Sequence, residues 1–118
     1  MLERRHTPFH EKRLEQAKAQ SYDTPVTAFL SDVFILTESA VGLTFGHTKK
    51  TGLGKFDDGH MIHTSYIVNA RKQGRFWVLT TLNSTYVVTS IKPGIGRHSF
   101  KNLLERLKGQ RELPVTVH

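Results

Sequence analysis

The chain has 118 residues, of which 37% are apolar, and it carries a formal net charge of +7 and no cysteine. This length suffices for one domain with a single core, which we expect to span residues 1–118 with residues 1–23 at its periphery. The lack of cysteine excludes disulfides, thiolate zinc sites and a cysteine nucleophile. No apolar run reaches the roughly 20 residues of a membrane helix, and the amino-terminal residues are charged where a secretory signal is apolar, so we expect a cytoplasmic protein that does not contact a membrane.

The first predicted element is a helix that begins after Thr7, with Pro8 at its first position. Its apolar stripe has only three members, Phe9, Leu14 and Ala17. So narrow a stripe predicts a peripheral helix. Residues 26–30 are interpreted as one further helical turn. Residues 32–37 and 41–45 are short and apolar, and they predict two buried strands that pair through the turn between them.

The middle of the chain is predicted to alternate between loop and strand. Residues 46–60 contain four glycines and no apolar period, which predicts a long exposed loop. Residues 61–70 alternate in polarity and are interpreted as one half-buried strand. A basic turn at residues 70–74 follows, and residues 75–81 and 85–91 then predict two antiparallel strands.

The end of the chain contains the most regular helical pattern. Pro93 and Gly94 predict a type II turn, Ser99 is the predicted N-cap of the next helix, and Gly109 is its predicted end. One apolar stripe is expected to face the core, and it consists of Phe100, Leu103, Leu104 and Leu107. Leu104→Asp is therefore expected to unfold the protein. Residues 115–117 predict an edge strand. The predicted fold is therefore α+β, a mainly antiparallel sheet of four to six strands with the second helix packed on one face.

The positive charge is concentrated in the second half of the chain. Residues 1–70 contain eight Lys or Arg and eight Asp or Glu, whereas residues 71–118 contain nine and two. Such an imbalance predicts a surface that attracts phosphates and releases their counterions, although an acidic protein would be attracted by the same field. The candidate nucleic-acid contacts are Arg71, Lys72, Arg75, Lys92, Arg97, Lys101, Arg106 and Lys108.

In a meander of three strands, the turn near Arg71 and the loop after Lys92 lie at the same end of the sheet. A solvated basic surface without a partner is the alternative interpretation. Phe76 and Trp77 are interpreted as core side chains in preference to platforms for stacked bases.

Four candidate acid–base or metal-binding residues lie at the end of the glycine-rich loop and at the start of the strand after it: Asp57, Asp58, His60 and His63. Along a strand, a spacing of three residues points the two histidines to opposite faces, which disfavours a metal site. A ribonuclease that uses the loop 57–63 for proton transfer, with Lys55 stabilising charge, is an open alternative. The glycines near Lys55 match neither the Walker A nor the dinucleotide-binding pattern, so no cofactor is predicted.

A further pattern begins in the same loop and reads D-G-x-x-I-x-T-S-x-(I/V), then a variable turn, then V-x-T-x-N-S-x-Y. Here it is carried by Asp58, Gly59, Ile62, Thr64, Ser65, Ile67, Val78, Thr80, Asn83, Ser84 and Tyr86, with one extra residue between Thr80 and Asn83. The segment resembles one that recurs in small proteins of phages, prophages and other mobile elements. The resemblance implies an accessory protein of a mobile element and implies no particular activity.

The sequence is compatible with three functions. The leading hypothesis is a non-catalytic protein whose basic second half binds nucleic acid. The second is a protein that binds and modulates a host complex through an acidic host surface, and the third is the ribonuclease described above. A homodimer formed through an exposed edge strand stays open as an alternative.

Overall fold

The structure, a computed structural model, describes residues 6–49, 54 and 56–112, with the backbone alone for residues 110–112. Over these residues the chain forms two helices and six strands in the order α1 (Pro8–Ala19), β1 (Ala28–Leu36), β2 (Ser39–Phe45), β3 (Met61–His63), β4 (Ile67–Gln73), β5 (Phe76–Thr81), β6 (Thr85–Val88) and α2 (Ile95–Glu112). The strands form one sheet in the order β3-β2-β1-β6-β5-β4, in which β1 and β6 are parallel and the other neighbours antiparallel. The predicted α+β class is confirmed, and the predicted strand at residues 115–117 lies outside the described residues.

The β1–β2 hairpin is confirmed, but β1 begins at Ala28, so the helical turn predicted at residues 26–30 is wrong. Ala28 pairs with Tyr86 and Leu30 pairs with Val88 in the parallel ladder with β6. The sheet therefore satisfies backbone groups that a helical turn would have had to satisfy locally.

Strand β1 is bent at Asp32, which has φ 58° at the position where the pairing with β2 shifts register. The N–H of Asp32 donates to Ser90 Oγ at 2.8 Å, and the N–H of Val33 donates to the Ser90 carbonyl at 3.0 Å. A bulge of this kind bends its strand and increases the twist of the sheet.

The segment interpreted as one half-buried strand forms two strands at opposite edges of the sheet, so that interpretation is wrong. Between them, Thr64 Oγ1 accepts the N–H of Ala40 at 3.0 Å and donates to the Ser65 carbonyl at 2.8 Å. The N–H of Ile67 then donates to the Glu38 carbonyl at 2.8 Å, while Ile67 also pairs with β5. The sheet is thus curved enough for the β1–β2 turn to reach the start of β4.

Helix α2 begins at Ile95 and ends at Glu112, so the predicted N-cap at Ser99 and the predicted end at Gly109 are wrong. Ser99 lies one turn inside the helix, where its Oγ accepts the N–H of Ile35 at 2.9 Å and ties α2 to β1. An internal glycine costs a helix only about 1 kcal/mol, which is too little to end a helix that already packs on a sheet. The predicted inward stripe is confirmed for Phe100, Leu103 and Leu107, which are buried. Its fourth member, Leu104, is only partly buried.

Helix α1 packs on the opposite face of the sheet, where Ala17 contacts Phe76 and Val78. Thr7 is its N-cap, as predicted, because its Oγ1 accepts a backbone N–H of the first turn. Phe9 is 61% exposed, so its predicted place in the apolar stripe is wrong. Neither helix in the described part of the chain combines the length and the hydropathy needed to span a bilayer.

Candidate functional site

A cleft of about 380 Å³ lies at the end of the sheet, where β4 turns into β5 and β6 leads into α2. Three arginines from separate segments line it: Arg13 of α1, Arg75 of the β4–β5 turn and Arg97 in the first turn of α2. The apolar part of its lining includes Phe9, Trp77, Val88, Ile91 and Pro93. We call this cleft, with its ten lining residues, the arginine cleft.

The three arginines differ in how they are held. Arg13 Nε donates to the Thr89 carbonyl at 3.0 Å, and its guanidinium carbon lies 4.6 Å from the ring centroid of Phe76. Stacking and hydrogen bonding thus fix Arg13 at the edge of the core. Arg75 and Arg97 are exposed, and among the described residues their side chains have no hydrogen-bond or ion-pair partner.

Trp77 forms an aromatic wall of the arginine cleft. Its ring meets Phe100 edge-on with the centroids 5.7 Å apart, and Lys72 Nζ lies 5.9 Å from the Trp77 centroid. Phe76 is buried in the core, as predicted. Trp77 packs on the core and also borders the cleft, so its role is broader than the sequence indicated.

Two of the candidate basic residues already face carboxylates. Both terminal nitrogens of Arg71 donate to Asp23, at 2.7 and 2.6 Å. Hydrogen bonds from Arg71 and then Gln73 lower the pKa of Asp23 to about 2, so this pair is ionised at neutral pH. Lys92 Nζ lies 3.9 Å from Asp32 Oδ2.

The remaining candidates lie along α2. Lys101 is exposed and lies one turn after Arg97 on the same helical face. Arg106 donates to the Thr37 carbonyl at 2.8 Å, and at a rise of 1.5 Å per residue it lies about 14 Å along the helix from Arg97. Lys108 lies beyond it. The structure therefore brings Arg75 and Arg97 together at the cleft and places Arg106 and Lys108 towards the far end of α2.

Sequence reasoning did not assign Arg13 to the basic surface. The sequence does contain one indication of its position: Phe9 and Arg13 are four residues apart, so their side chains share one face of α1. Their joint appearance in the cleft follows from the packing of Ala17 on β5, which no local pattern reveals.

A second cavity of about 430 Å³ lies between the loop that follows β2, strand β3 and the β5–β6 turn, and we call it the His47 cavity. His47 belongs to the loop predicted to be exposed, yet it is only 4% exposed. Its ring stacks on Phe56 at 4.2 Å between centroids, and its Nδ1 accepts the N–H of Lys49 at 3.0 Å. Burial, followed by the charge of Lys49, lowers the pKa of His47, so its ring is neutral at physiological pH.

The acidic residues of the loop 57–63 have structural partners. Asp57 Oδ2 accepts the N–H of Gly54 at 3.2 Å, and Asp58 Oδ1 accepts the N–H of Gly46 at 2.8 Å. His63 lines the His47 cavity, and His60 is not part of that lining. Among the described side chains, no group of three or more potential ligands could hold a metal ion. The ribonuclease hypothesis stays a prediction.

The fold and these two sites define a small α+β protein with a curved, mixed sheet and a cationic cleft at one end of it. Comparison of the chain with protein-family models, with curated proteins and with solved structures finds no match.

Proposed function

We propose that the protein binds single-stranded nucleic acid through the arginine cleft. The observation that supports this proposal most directly is the convergence of Arg13, Arg75 and Arg97 on one cleft with an aromatic wall. Guanidinium groups pair with backbone phosphates, and unpaired bases stack on aromatic rings. Proteins that bind single strands without sequence preference combine these two contacts.

The electrostatics of the cleft favour an anion. No acidic side chain appears in its described lining. Helix α2 begins at its rim, after a turn in which Gly94 has φ 78°, and its first turn carries no acidic residue. The unpaired N–H groups at a helix N-terminus carry partial positive charge, which adds to that of Arg97.

The aromatic part of the cleft favours a single strand over a duplex. Phe9 is largely exposed and Trp77 is half buried, so both rings present surface at the cleft. A duplex keeps its bases stacked on one another and offers no free base face to these rings. The volume of the cleft also falls in the range of about 300–1,000 Å³ that suits a ligand of nucleotide size.

Two lysines extend the cationic surface beyond the cleft. Lys72 reaches over the Trp77 ring from β4, and Lys101 follows Arg97 on α2. A strand with a base against Trp77 would therefore meet positive charge in two directions. Arg71, which is paired with Asp23, contributes less because its charge is already compensated.

A titration of labelled oligonucleotides at several salt concentrations tests the proposal. With about three phosphate contacts in the cleft, the affinity for a single strand is expected to fall by about 20-fold for a fourfold rise in salt. A duplex of equal length is expected to bind more weakly at every salt concentration. If neither DNA nor RNA binds at low salt, the proposal is wrong, and equal binding of duplex and single strand would contradict the assignment to single strands.

A second candidate function, a modulator that binds a host protein, is favoured by an apolar groove at the far end of α2. Tyr66, Val68 and Leu82 line this groove and are 59%, 51% and 70% exposed, and Arg106 borders it. Contiguous exposed apolar surface on a monomer often marks a protein interface. The groove is separate from the arginine cleft, so each candidate can be tested by itself.

Affinity purification from host extract, with and without nuclease, separates the two candidates. A co-purified protein that survives nuclease and is lost with Leu82→Asp is expected if the groove binds a protein. Leu36→Asp is the matched control, because Leu36 is also exposed and lies outside the groove lining. Bound material that disappears on nuclease treatment, and is unchanged by Leu82→Asp, would contradict this second candidate.

A further inference from the structure

The His47 imidazole carries a hydrogen-bond donor that has no partner among the described residues. Its Nδ1 accepts the N–H of Lys49, so in the neutral ring the proton lies on Nε2. Among the described residues Nε2 has no partner. The His47 side chain lines the His47 cavity, so a ligand in the cavity can approach this donor. The Nε2–H group is therefore a donor at the wall of the His47 cavity with no partner among the described residues, although His47 itself is almost completely buried.

The position of this donor is fixed by aromatic packing. The His47 ring lies nearly parallel to Phe56, with an angle of 28° between the planes, and the Tyr86 ring centroid is 6.4 Å away. A donor held in one orientation binds a ligand with little further loss of conformational entropy.

The charge at the His47 cavity is positive. Lys49 lines the cavity together with His63, Asn83 and Ser84, and no Asp or Glu is part of the described lining. The two nearby carboxylates, Asp57 and Asp58, accept backbone N–H groups of the loop instead. Hydrogen-bond donors around one ammonium group suit an oxyanion.

We infer that the His47 cavity binds a small ligand that carries a phosphate monoester, such as a nucleoside monophosphate. His47 Nε2–H and the Lys49 ammonium group contact the phosphoryl oxygens. The cavity volume of about 430 Å³ is in the range of small-molecule sites and exceeds what inorganic phosphate needs. The same phosphate chemistry occurs at the 5′ end of a nucleic-acid strand, so the test includes that source.

Titration of the ¹⁵N-labelled protein with adenosine 5′-monophosphate, followed through the imidazole nitrogens, tests the inference. The ligand is expected to shift the His47 Nε2 resonance, and adenosine without phosphate is expected to leave it in place. Lys49→Gln and His47→Phe are each expected to weaken binding by at least about tenfold. His47→Gln, which keeps an amide N–H donor, is expected to lose less than His47→Phe.

Matched variants and a second probe make the outcomes decisive. Lys12→Gln, at an exposed position on α1, is the control for the loss of one positive charge and is expected to bind normally. Because Lys49 is exposed, its variant tests the site even if His47→Phe fails to fold. No shift of Nε2 at millimolar ligand, or an equal shift by adenosine, would overturn the inference, as would unchanged affinity of Lys49→Gln.

The two sources of phosphate are distinguished with oligonucleotides. A 5′-phosphorylated strand that shifts Nε2 where its 5′-hydroxyl counterpart does not would identify a strand end as a ligand, whereas a response to the mononucleotide alone would identify a free nucleotide. The arginine cleft is independent: a variant with Arg75 and Arg97 replaced is expected to keep mononucleotide binding. Failure of the cleft proposal would therefore leave this inference standing, and the reverse holds as well.

Discussion

The double variant R75E/R97E is expected to bind single-stranded oligonucleotides about 100-fold more weakly than the unmodified protein at low salt, with its fold unchanged. Hydrogen bonds to charged groups contribute about 1.5–3 kcal/mol each, and about 1.4 kcal/mol corresponds to a factor of ten. Loss of two such contacts therefore suffices for this effect. The fold is expected to persist because neither side chain has a partner among the described residues. Fluorescence anisotropy measures the affinity, and circular dichroism checks the fold.

The charge-matched control for this variant is R106E/K108E at the far end of α2. Each reversal changes the net charge by two, so both double variants carry +3 in place of the +7 of the natural chain. If the cleft binds the strand, the control is expected to lose far less affinity than R75E/R97E, and its salt dependence is expected to stay steep. Equal losses in the two variants would show that binding depends on the total charge, and the cleft assignment would then be wrong.

The parts of the fold that follow from local sequence were predicted well. Thr7 and Pro8 mark the start of α1 because capping acts within one turn, and the β1–β2 and β5–β6 hairpins form as predicted because their partners are adjacent in the chain. Successive side chains from Phe76 to Leu79 point to opposite faces of β5, as predicted. Phe76 and Val78 pack with α1, whereas Trp77 and Leu79 pack with α2.

The parts that depend on distant contacts were missed. The start of β1 is set by pairing with β6, and the break between β3 and β4 is set by bonds from Thr64 and Ile67 to the β1–β2 turn. The local periodicity of the sequence indicates neither the start of β1 nor the break between β3 and β4, because a strand has the same pattern whichever strand it pairs with. Ser99 misled for a related reason: its hydroxyl does bond a backbone N–H, but that N–H belongs to Ile35 of β1 instead of α2.

The residues of the candidate sites also divide into those that the sequence predicts and those that depend on distant contacts. The meeting of Arg75 and Arg97 follows from the predicted meander, which places the basic turn and the loop after Lys92 at the same end of the sheet, although Arg97 lies in the first turn of α2 and not in a loop. Arg13 and His47 do not follow, because Arg13 reaches the cleft through the docking of α1, and His47 is buried by its stack on Phe56. A loop rich in glycine gives no indication that one of its residues packs as core.

Leu103→Ala is expected to lower the free energy of unfolding by about 2–5 kcal/mol, a large part of the stability of a domain of this size. The Leu103 side chain is 1% exposed between α2 and the sheet, so its removal leaves a cavity. Leu104→Ala is expected to cost clearly less, because Leu104 is only partly buried against the same cluster. Urea denaturation, followed by circular dichroism, measures the free energy of unfolding of the two variants, which carry the same change from leucine to alanine.

The aspartate variants sharpen the same comparison and revise the expectation drawn from sequence. Leu103→Asp is expected to prevent folding, since a carboxylate would be buried with no partner. Leu104→Asp, which the periodic stripe predicted to unfold the protein, is expected to stay folded because its carboxylate can reach water from a partly buried position. If instead Leu104→Ala costs as much as Leu103→Ala, α2 is rotated about its axis relative to the sheet. Such a rotation would also turn Arg97 away from the cleft, so these stability measurements test the geometry on which the proposed binding site depends.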